Sequence, residues 1–141
     1  MIIQDLMTSA VEFVSTDDSV DKAAIKMTRN NVGAIPVLDR NQKAVGIITD
    51  RDITTRVVSV GLVPTETAVT KVMTKNPIVC KESDDIQTAA EIMKEHQIRR
   101  LIVQNNRGNF MGVVSLGDLA LNVDQSISGE ILKEISKPLE P

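Results

Sequence analysis

The feature that most constrains this chain is an internal repeat. A constant shift of 66 positions, the spacing of Met7 from Met73, lays the second half on the first without a gap. Met7-Thr8 falls on Met73-Thr74, Asp18 on Asp84, Ala23-Ala24 on Ala89-Ala90, Met27 on Met93, Val37 on Val103, Gly46 on Gly112 and Asp52 on Asp118. Conservative pairs lie between these identities, among them Val20 over Ile86, Val32 over Ile98 and Ile35 over Leu101. A tandem duplication accounts for the pattern. A half of this size buries little surface alone, whereas two related halves can share one core about a pseudo-twofold axis and form two equivalent clefts there.

Composition narrows the classes. The 141 residues are 42% hydrophobic, enough for one domain with a substantial core. Aromatic residues make up only 1%, so Val, Ile, Leu, Met and Ala must build that core. Only Phe13 and Phe110 could stack against single-stranded nucleic acid, and a net charge of −3 lacks the basic footprint that neutralises a phosphate backbone. Nucleic acid is therefore not the expected partner. Cys80 is the only cysteine, which excludes an internal disulfide and gives no sign of an oxidising compartment. Asp5 interrupts the N-terminal apolar residues, and no apolar run approaches the roughly 20 residues that span a bilayer. No membrane partner and a cytoplasmic location are expected.

Each half reads as a short opening helix, a strand, a helix, two strands and a second helix. In the first half, Val20, Ala23, Ala24 and Met27 recur at helical spacing behind Asp18 as N-cap, which predicts a helix over 19–30. Residues 34–38 and 44–48 are apolar runs on either side of Asp39-Arg40-Asn41-Gln42, the pattern of a β-hairpin. Helical spacing returns over 50–60 through Ile53, Val57 and Val60, and Gly61 and Pro64 punctuate the chain. The second half predicts a helix over 86–95, strands over 99–104 and 110–115, and a helix over 116–122. Residues 126–136 carry Ile127, Ile131, Leu132 and Ile135, an amphipathic pattern without counterpart in the repeat. It reads as a C-terminal helix that covers the module or contacts a partner. The resulting division is repeat 1 over 1–62, repeat 2 over 63–125, and a C-terminal helix and tail over 126–141.

The clearest chemistry lies at a strand-to-helix junction present in both halves. It reads Gly46-Ile47-Ile48-Thr49-Asp50-Arg51-Asp52 in one and Gly112-Val113-Val114-Ser115-Leu116-Gly117-Asp118 in the other. A hydroxyl residue opening a helix stands at the positive end of the helix dipole, where it can help hold a phosphate. An aspartate three residues on shares that face and can accept hydrogen bonds from two vicinal hydroxyls. Phosphate beside a cis-diol describes a ribonucleotide. The same spacing also describes a capping box, and one residue can serve both ends, so capping stays open beside binding.

These junctions, the Met-Thr openings and the Gly33-Ala34-Ile35-Pro36-Val37 run make residues 1–123 resemble a tandem cystathionine beta-synthase (CBS) domain pair, or Bateman module. The resemblance implies an α+β fold of two β-α-β-β-α repeats packed as a pseudo-twofold pair. It implies an adenine nucleotide (AMP, ADP or ATP) or S-adenosylmethionine as ligand, with no required cofactor. Asp52 and Asp118 would bind ribose, and Thr49 and Ser115 would lie near phosphate. Adenine would lie against Val11, Glu12, Phe13, Ile35 and Pro36 in one cleft, and against Pro77, Ile78, Val79, Leu101 and Ile102 in the other. The clefts differ in sequence. The second has Arg99-Arg100 where the first has Gly33-Ala34, Ile102 in place of Pro36, and Gly117 in place of Arg51. Guanidinium forks suit phosphate, so unequal affinities are expected.

Arg51 and Arg56 lie near the first junction, where they would reach a phosphate, a partner subunit or a neighbouring carboxylate on the helix. Cys80 and His96 fall on different elements and do not approach a four-ligand metal site. Met27 and Met93 read as core filler. No nucleophile with its base, metal cluster or phosphate-activating lysine motif supports an enzyme. The expected function is a regulatory ligand-binding module that signals in trans to an unnamed protein; the alternative is an interaction scaffold with structural or empty clefts. Surplus aliphatic residues at Ile53, Val57, Val58, Leu119 and Leu121 predict a homodimer.

Overall fold

The computed structural model describes residues 1–122 and 124–138. Val123 and the 139–141 end of the expected tail lie outside the described residues. The chain forms two compact units, and neither coincides with one repeat: Val11–Pro77 form the first, and Met1–Ala10 join the stretch from Ile78 onward in the second.

The first unit is a four-stranded sheet in the order β1-β2-β3-β4, with helices packed on it. Its elements are β1 (Val14–Ser15), α1 (Val20–Asn30), β2 (Ala34–Leu38), β3 (Ala44–Thr49), α2 (Asp50–Ile53), α3 (Val69–Val72) and β4 (Thr74–Lys75). β1 runs parallel to β2, as a helical crossover requires, and β2-β3 is the antiparallel hairpin expected from its turn residues. The apolar stripe of α1 buries Val20, Ala23 and Met27. They meet Val14, Ile35, Val37, Ile48, Val57, Val69 and Val72 in one cluster.

The expected N-cap of α1 is corrected by one residue. Ser19 holds the extended cap conformation, while Asp18 Oδ2 accepts the Ser15 N–H at 2.8 Å and Oδ1 accepts from Lys22 Nζ at 3.2 Å. Asp18 is spent on closing the turn before the helix. Asn31 then stops α1 in the left-handed conformation at φ 51. The helix predicted over 50–60 also changes character. After Ile53 the turn widens over Thr54–Val58, where the Ser59 N–H reaches the Thr54 carbonyl at 3.0 Å, five residues back. Thr54 and Thr55 hydroxyls bond the carbonyls of Asp50 and Arg51, drawing acceptors away from the regular ladder.

The second unit repeats the plan with β5 (Val79–Lys81), α4 (Ile86–His96), β6 (Arg100–Gln104), β7 (Phe110–Ser115) and α5 (Leu116–Ala120). Asp85 caps α4 by accepting the Gln87 N–H at 2.8 Å, and Gln97 ends it at φ 54. The C-terminal helix is α6 (Gln125–Ile135), which lies against α4 and α5 and buries Ile131 fully. Gln97 Nε2 donates to the Glu134 carbonyl at 3.0 Å, tying α6 to the end of α4. The helix thus covers part of its own unit.

Each unit is completed by an opening segment taken from the other repeat. Ile3 N–H donates to the Asp84 carbonyl and Val69 N–H to the Asp18 carbonyl, both at 2.9 Å, so Ile3 enters the second core and Val69 the first. Thr8 then pairs antiparallel with Val113, and Thr74 with Ile47. These pairings explain the glycine in each junction motif. A Cβ on Gly112 would stand 2.3 Å from the Thr8 carbonyl oxygen, and one on Gly46 would stand 2.4 Å from Met73 Sδ and 3.0 Å from the Thr74 oxygen. The glycines admit the incoming Met-Thr segments.

Candidate functional site

The two junctions have the same local structure. Thr49 Oγ1 accepts the Asp52 N–H at 3.0 Å while Asp52 Oδ2 accepts the Thr49 N–H at 3.0 Å. Ser115 Oγ and Asp118 Oδ2 exchange the corresponding bonds at 3.1 and 2.9 Å. Both motifs are therefore complete capping boxes. The box uses one carboxylate oxygen of each aspartate, which leaves Asp118 Oδ1 to meet hydroxyl donors while Asp52 Oδ1 lies 3.8 Å from Arg56 Nη1, and it uses the Thr or Ser oxygen as acceptor, leaving that hydroxyl's proton to donate.

The neighbouring strand supplies the rest of each junction. In the first unit Ala34 pairs in register with Thr49, and the Gly33 carbonyl accepts the Asp50 N–H at 2.9 Å. In the second unit Arg100 pairs with Ser115, and the Arg99 carbonyl accepts the Leu116 N–H at 2.7 Å. Arg99 and Arg100 are exposed, and neither makes an ion pair among the described residues. Glu91, a carboxylate within reach by sequence, pairs instead with Lys94 at 3.1 Å.

The residues expected around adenine divide by burial. Ile35, Pro36, Leu101 and Ile102 have buried side chains, so they offer a ligand their backbone rather than their surface. Val11, Glu12 and Phe13 lead into β1, which runs beside β2. Lys26 fixes them: its Nζ donates to the Phe13 carbonyl at 2.6 Å and lies 3.6 Å from Glu12 Oε2. Ile78 and Val79 are half-buried at the start of β5, whose Val79 pairs with Ile102. Pro77 ends the first unit.

Two residues near the first junction carry more than their sequence pattern conveyed. Arg56 Nη1 donates to the Val72 carbonyl at 2.9 Å and the Met73 carbonyl at 3.3 Å, and stands 3.8 Å from Asp52 Oδ1. It thus joins the buried Asp52, 8% exposed, to the incoming segment of the other repeat. Asp50 Oδ1 accepts the Arg51 N–H at 2.8 Å, and its Oδ2 lies 2.9 Å from where a Cβ on Gly33 would be. The pairing of Gly33 with an acidic residue after Thr49 was the available signal. Arg51 itself is exposed.

Cys80 is buried in β5, and burial, with Asp84 adding, pushes its thiol up to about 12. His96 is the exposed last residue of α4. Among the described residues no group of three or more His, Cys, Asp or Glu side chains can hold a metal ion, and no helix is long and apolar enough to cross a membrane.

The CBS domain profile matches residues 3–59 and again residues 69–124, and the chain belongs to the CBS domain family as a tandem pair. It is similar to the CBS domain-containing protein YhcV of Bacillus subtilis, at 38% identity over 136 residues, or 95% of this chain and 94% of that one. Its structure is similar to that of the CBS domain protein TA0289 from Thermoplasma acidophilum, with TM-score 0.82 and 26% identity over 95% of this chain and 75% of the other. A further similar structure is CBSX2 in complex with AMP, with TM-score 0.72 and 26% identity over 85% of this chain and 93% of the other.

Proposed function

We propose that this protein is a regulatory module that binds an adenine nucleotide or S-adenosylmethionine at its two junctions and passes occupancy to a partner protein in trans. It is a receptor rather than an enzyme and works in the cytoplasm. The observation that carries this reading is one capping geometry built twice, a carboxylate beside a hydroxyl with a spare proton; the second carboxylate oxygen is open in Asp118 and faces Arg56 in Asp52. The AMP held by the similar CBSX2 structure supports the ligand class. Asp52 and Asp118 take the ribose; Ser115, Arg99 and Arg100 face phosphate in the second junction, and Thr49 and Arg51 face the 5′ substituent in the first. Adenine rests on the backbone of Ile35-Pro36 and Leu101-Ile102, beside Val11, Glu12 and Phe13 in one junction and Pro77, Ile78 and Val79 in the other.

A charged acceptor on a vicinal diol contributes about 1.5–3 kcal/mol, so Asp52→Ala or Asp118→Ala is expected to weaken its own junction about tenfold or more. Calorimetry is expected to show the same loss for 2′-deoxy-AMP. The scaffold reading is favoured by the capping boxes being complete without a ligand. Equal binding of ribo and deoxy forms would leave the carboxylates as helix caps alone, and absence of binding by any of these ligands decides for the scaffold.

The protein is also proposed to form a homodimer, on narrower grounds than its sequence offered. Val57 and Leu119 are fully buried in their own units and contribute nothing to an outer face, whereas Val58 and Leu121 are 65% and 86% exposed. A sedimentation mass of one 15.4 kDa chain at micromolar concentration refutes the dimer.

A further inference from the structure

The matched residues of the two junctions carry opposite formal charge. In the first, Asp50 is held on both sides: its N–H donates to the Gly33 carbonyl at 2.9 Å, and its Oδ1 accepts the Arg51 N–H at 2.8 Å. Its Oδ2 thereby occupies the space above Gly33, 2.9 Å from a Cβ position that glycine leaves empty. In the second unit the same two places are taken by Arg99 and Leu116. Over the six matched positions 33, 34 and 49–52, Asp50, Arg51 and Asp52 leave a net charge of −1. Over 99, 100 and 115–118, Arg99, Arg100 and Asp118 leave +1. Arg56 does not reverse the balance in the first unit, because it is committed to the Val72 and Met73 carbonyls and to Asp52.

We propose that Asp50 sets the charge of the ligand accepted by the first junction, so that it takes an adenosyl group with an uncharged or cationic 5′ substituent while the second junction takes a phosphorylated adenine nucleotide. This rests on the reading that both junctions bind adenosyl ligands through their aspartates. It revises the expectation that Thr49 and Arg51 serve a phosphate. Asp50 is exposed, and a phosphate within about 5 Å of such a carboxylate at a hydrated surface loses roughly a factor of ten in affinity. A sulfonium at the same place is attracted. The protein then reads two different adenosyl compounds rather than one compound twice.

The test uses the full chain with Asp118→Ala, Arg99→Ala and Arg100→Ala together to suppress binding at the second junction, titrated calorimetrically with adenosine, AMP and S-adenosylmethionine. Adenosine and S-adenosylmethionine are expected to bind at least about tenfold more tightly than AMP. Asp50→Asn keeps the side chain's shape and removes its charge, and Asp50→Leu installs the residue of the second unit. Both are expected to bring AMP to within about threefold of adenosine, leaving adenosine itself unchanged. AMP binding as tightly as adenosine before any change at Asp50, or an AMP-to-adenosine ratio unmoved by either variant, overturns the proposal. Adenosine affinity unaffected by a further Asp52→Ala overturns the underlying reading instead, whatever the phosphate preference.

Discussion

Replacing Gly112 with Ala tests the exchange of opening segments. The added methyl carbon would stand 2.3 Å from the Thr8 oxygen, 3.1 Å from the Thr8 carbonyl carbon and 3.2 Å from Ser9 Cα. These neighbours are backbone and cannot rotate away, so the segment must withdraw by about 1 Å to reach ordinary contact. Withdrawal breaks the paired bonds between Thr8 and Val113, of 2.9 and 3.0 Å, at a net cost of about 1–3 kcal/mol. Partial release of the fully buried Ile3 adds to that, since its complete exposure would cost about 1.5–3 kcal/mol. The expected loss is about 2–4 kcal/mol. Urea unfolding followed by circular dichroism measures it, with Gly129→Ala as control. Nothing lies within 4 Å of a Cβ at that position in α6, so the control should stabilise by up to about 1 kcal/mol. Gly46→Ala should cost less than Gly112→Ala, because its closest neighbour, Met73 Sδ at 2.4 Å, is on a flexible side chain. Ile3→Ala should combine with Gly112→Ala less than additively, both loosening the same segment. A loss below about 0.5 kcal/mol for Gly112→Ala, or full additivity with Ile3→Ala, refutes the reasoning.

Replacing Arg99 and Arg100 with Ala should lower affinity at the second junction, flatten the order of AMP, ADP and ATP there and reduce its salt dependence; unchanged constants for all three would remove both arginines from the site. Burial opposes ionisation of Asp18, but the Ser15 N–H and Lys22 outweigh it and hold the carboxyl below its ordinary 3.8. Its contribution is present above that value and lost as pH falls through the lowered folded-state value, so Asp18→Asn should flatten the acid limb of the urea midpoint between about pH 5 and 2. Cys80 holds its proton up to about 12, so stability should fall as pH rises through the thiol's ordinary 9.0, where the unfolded chain ionises first. At pH 8 the native protein should resist iodoacetamide and react only when unfolded, and rapid native labelling would contradict the burial.

Much of this is legible in the sequence because the repeat prints each signal twice. The hairpins and the α1 and α4 stripes followed from local pattern, and residues such as Ile35 and Val103 proved buried as their spacing required. What escaped were features decided by partners distant in sequence. Asp18 is a good cap by type, yet Ser15 and Lys22 use its oxygens first. Val57 and Leu119 looked like surplus on helix faces, but the cores reach them. The junction glycines read as part of a ligand motif, whereas their immediate cause is the passage of Thr8 and Thr74. The widened turn over Thr54–Val58 depends on hydroxyls bonding backward along the chain, a competition that helical periodicity does not register. Asp50 carries no signal of its own in the motif, and only the fold brings its carboxylate over Gly33.

The traded opening segments carry a consequence for how such a chain could arise. A single repeat standing alone would hold an arm it cannot use and lack the one it needs, and two separate copies would satisfy each other only by swapping arms as a dimer. Such a pair dissociates on dilution. Joining the copies end to end turns the swap into an intramolecular event, at an effective concentration set by the joining residues rather than by the cell. Once joined, each copy is free to change its own junction without being mirrored in the other. Arg99 and Leu116 on one side, Gly33 and Asp50 on the other, are that freedom in use.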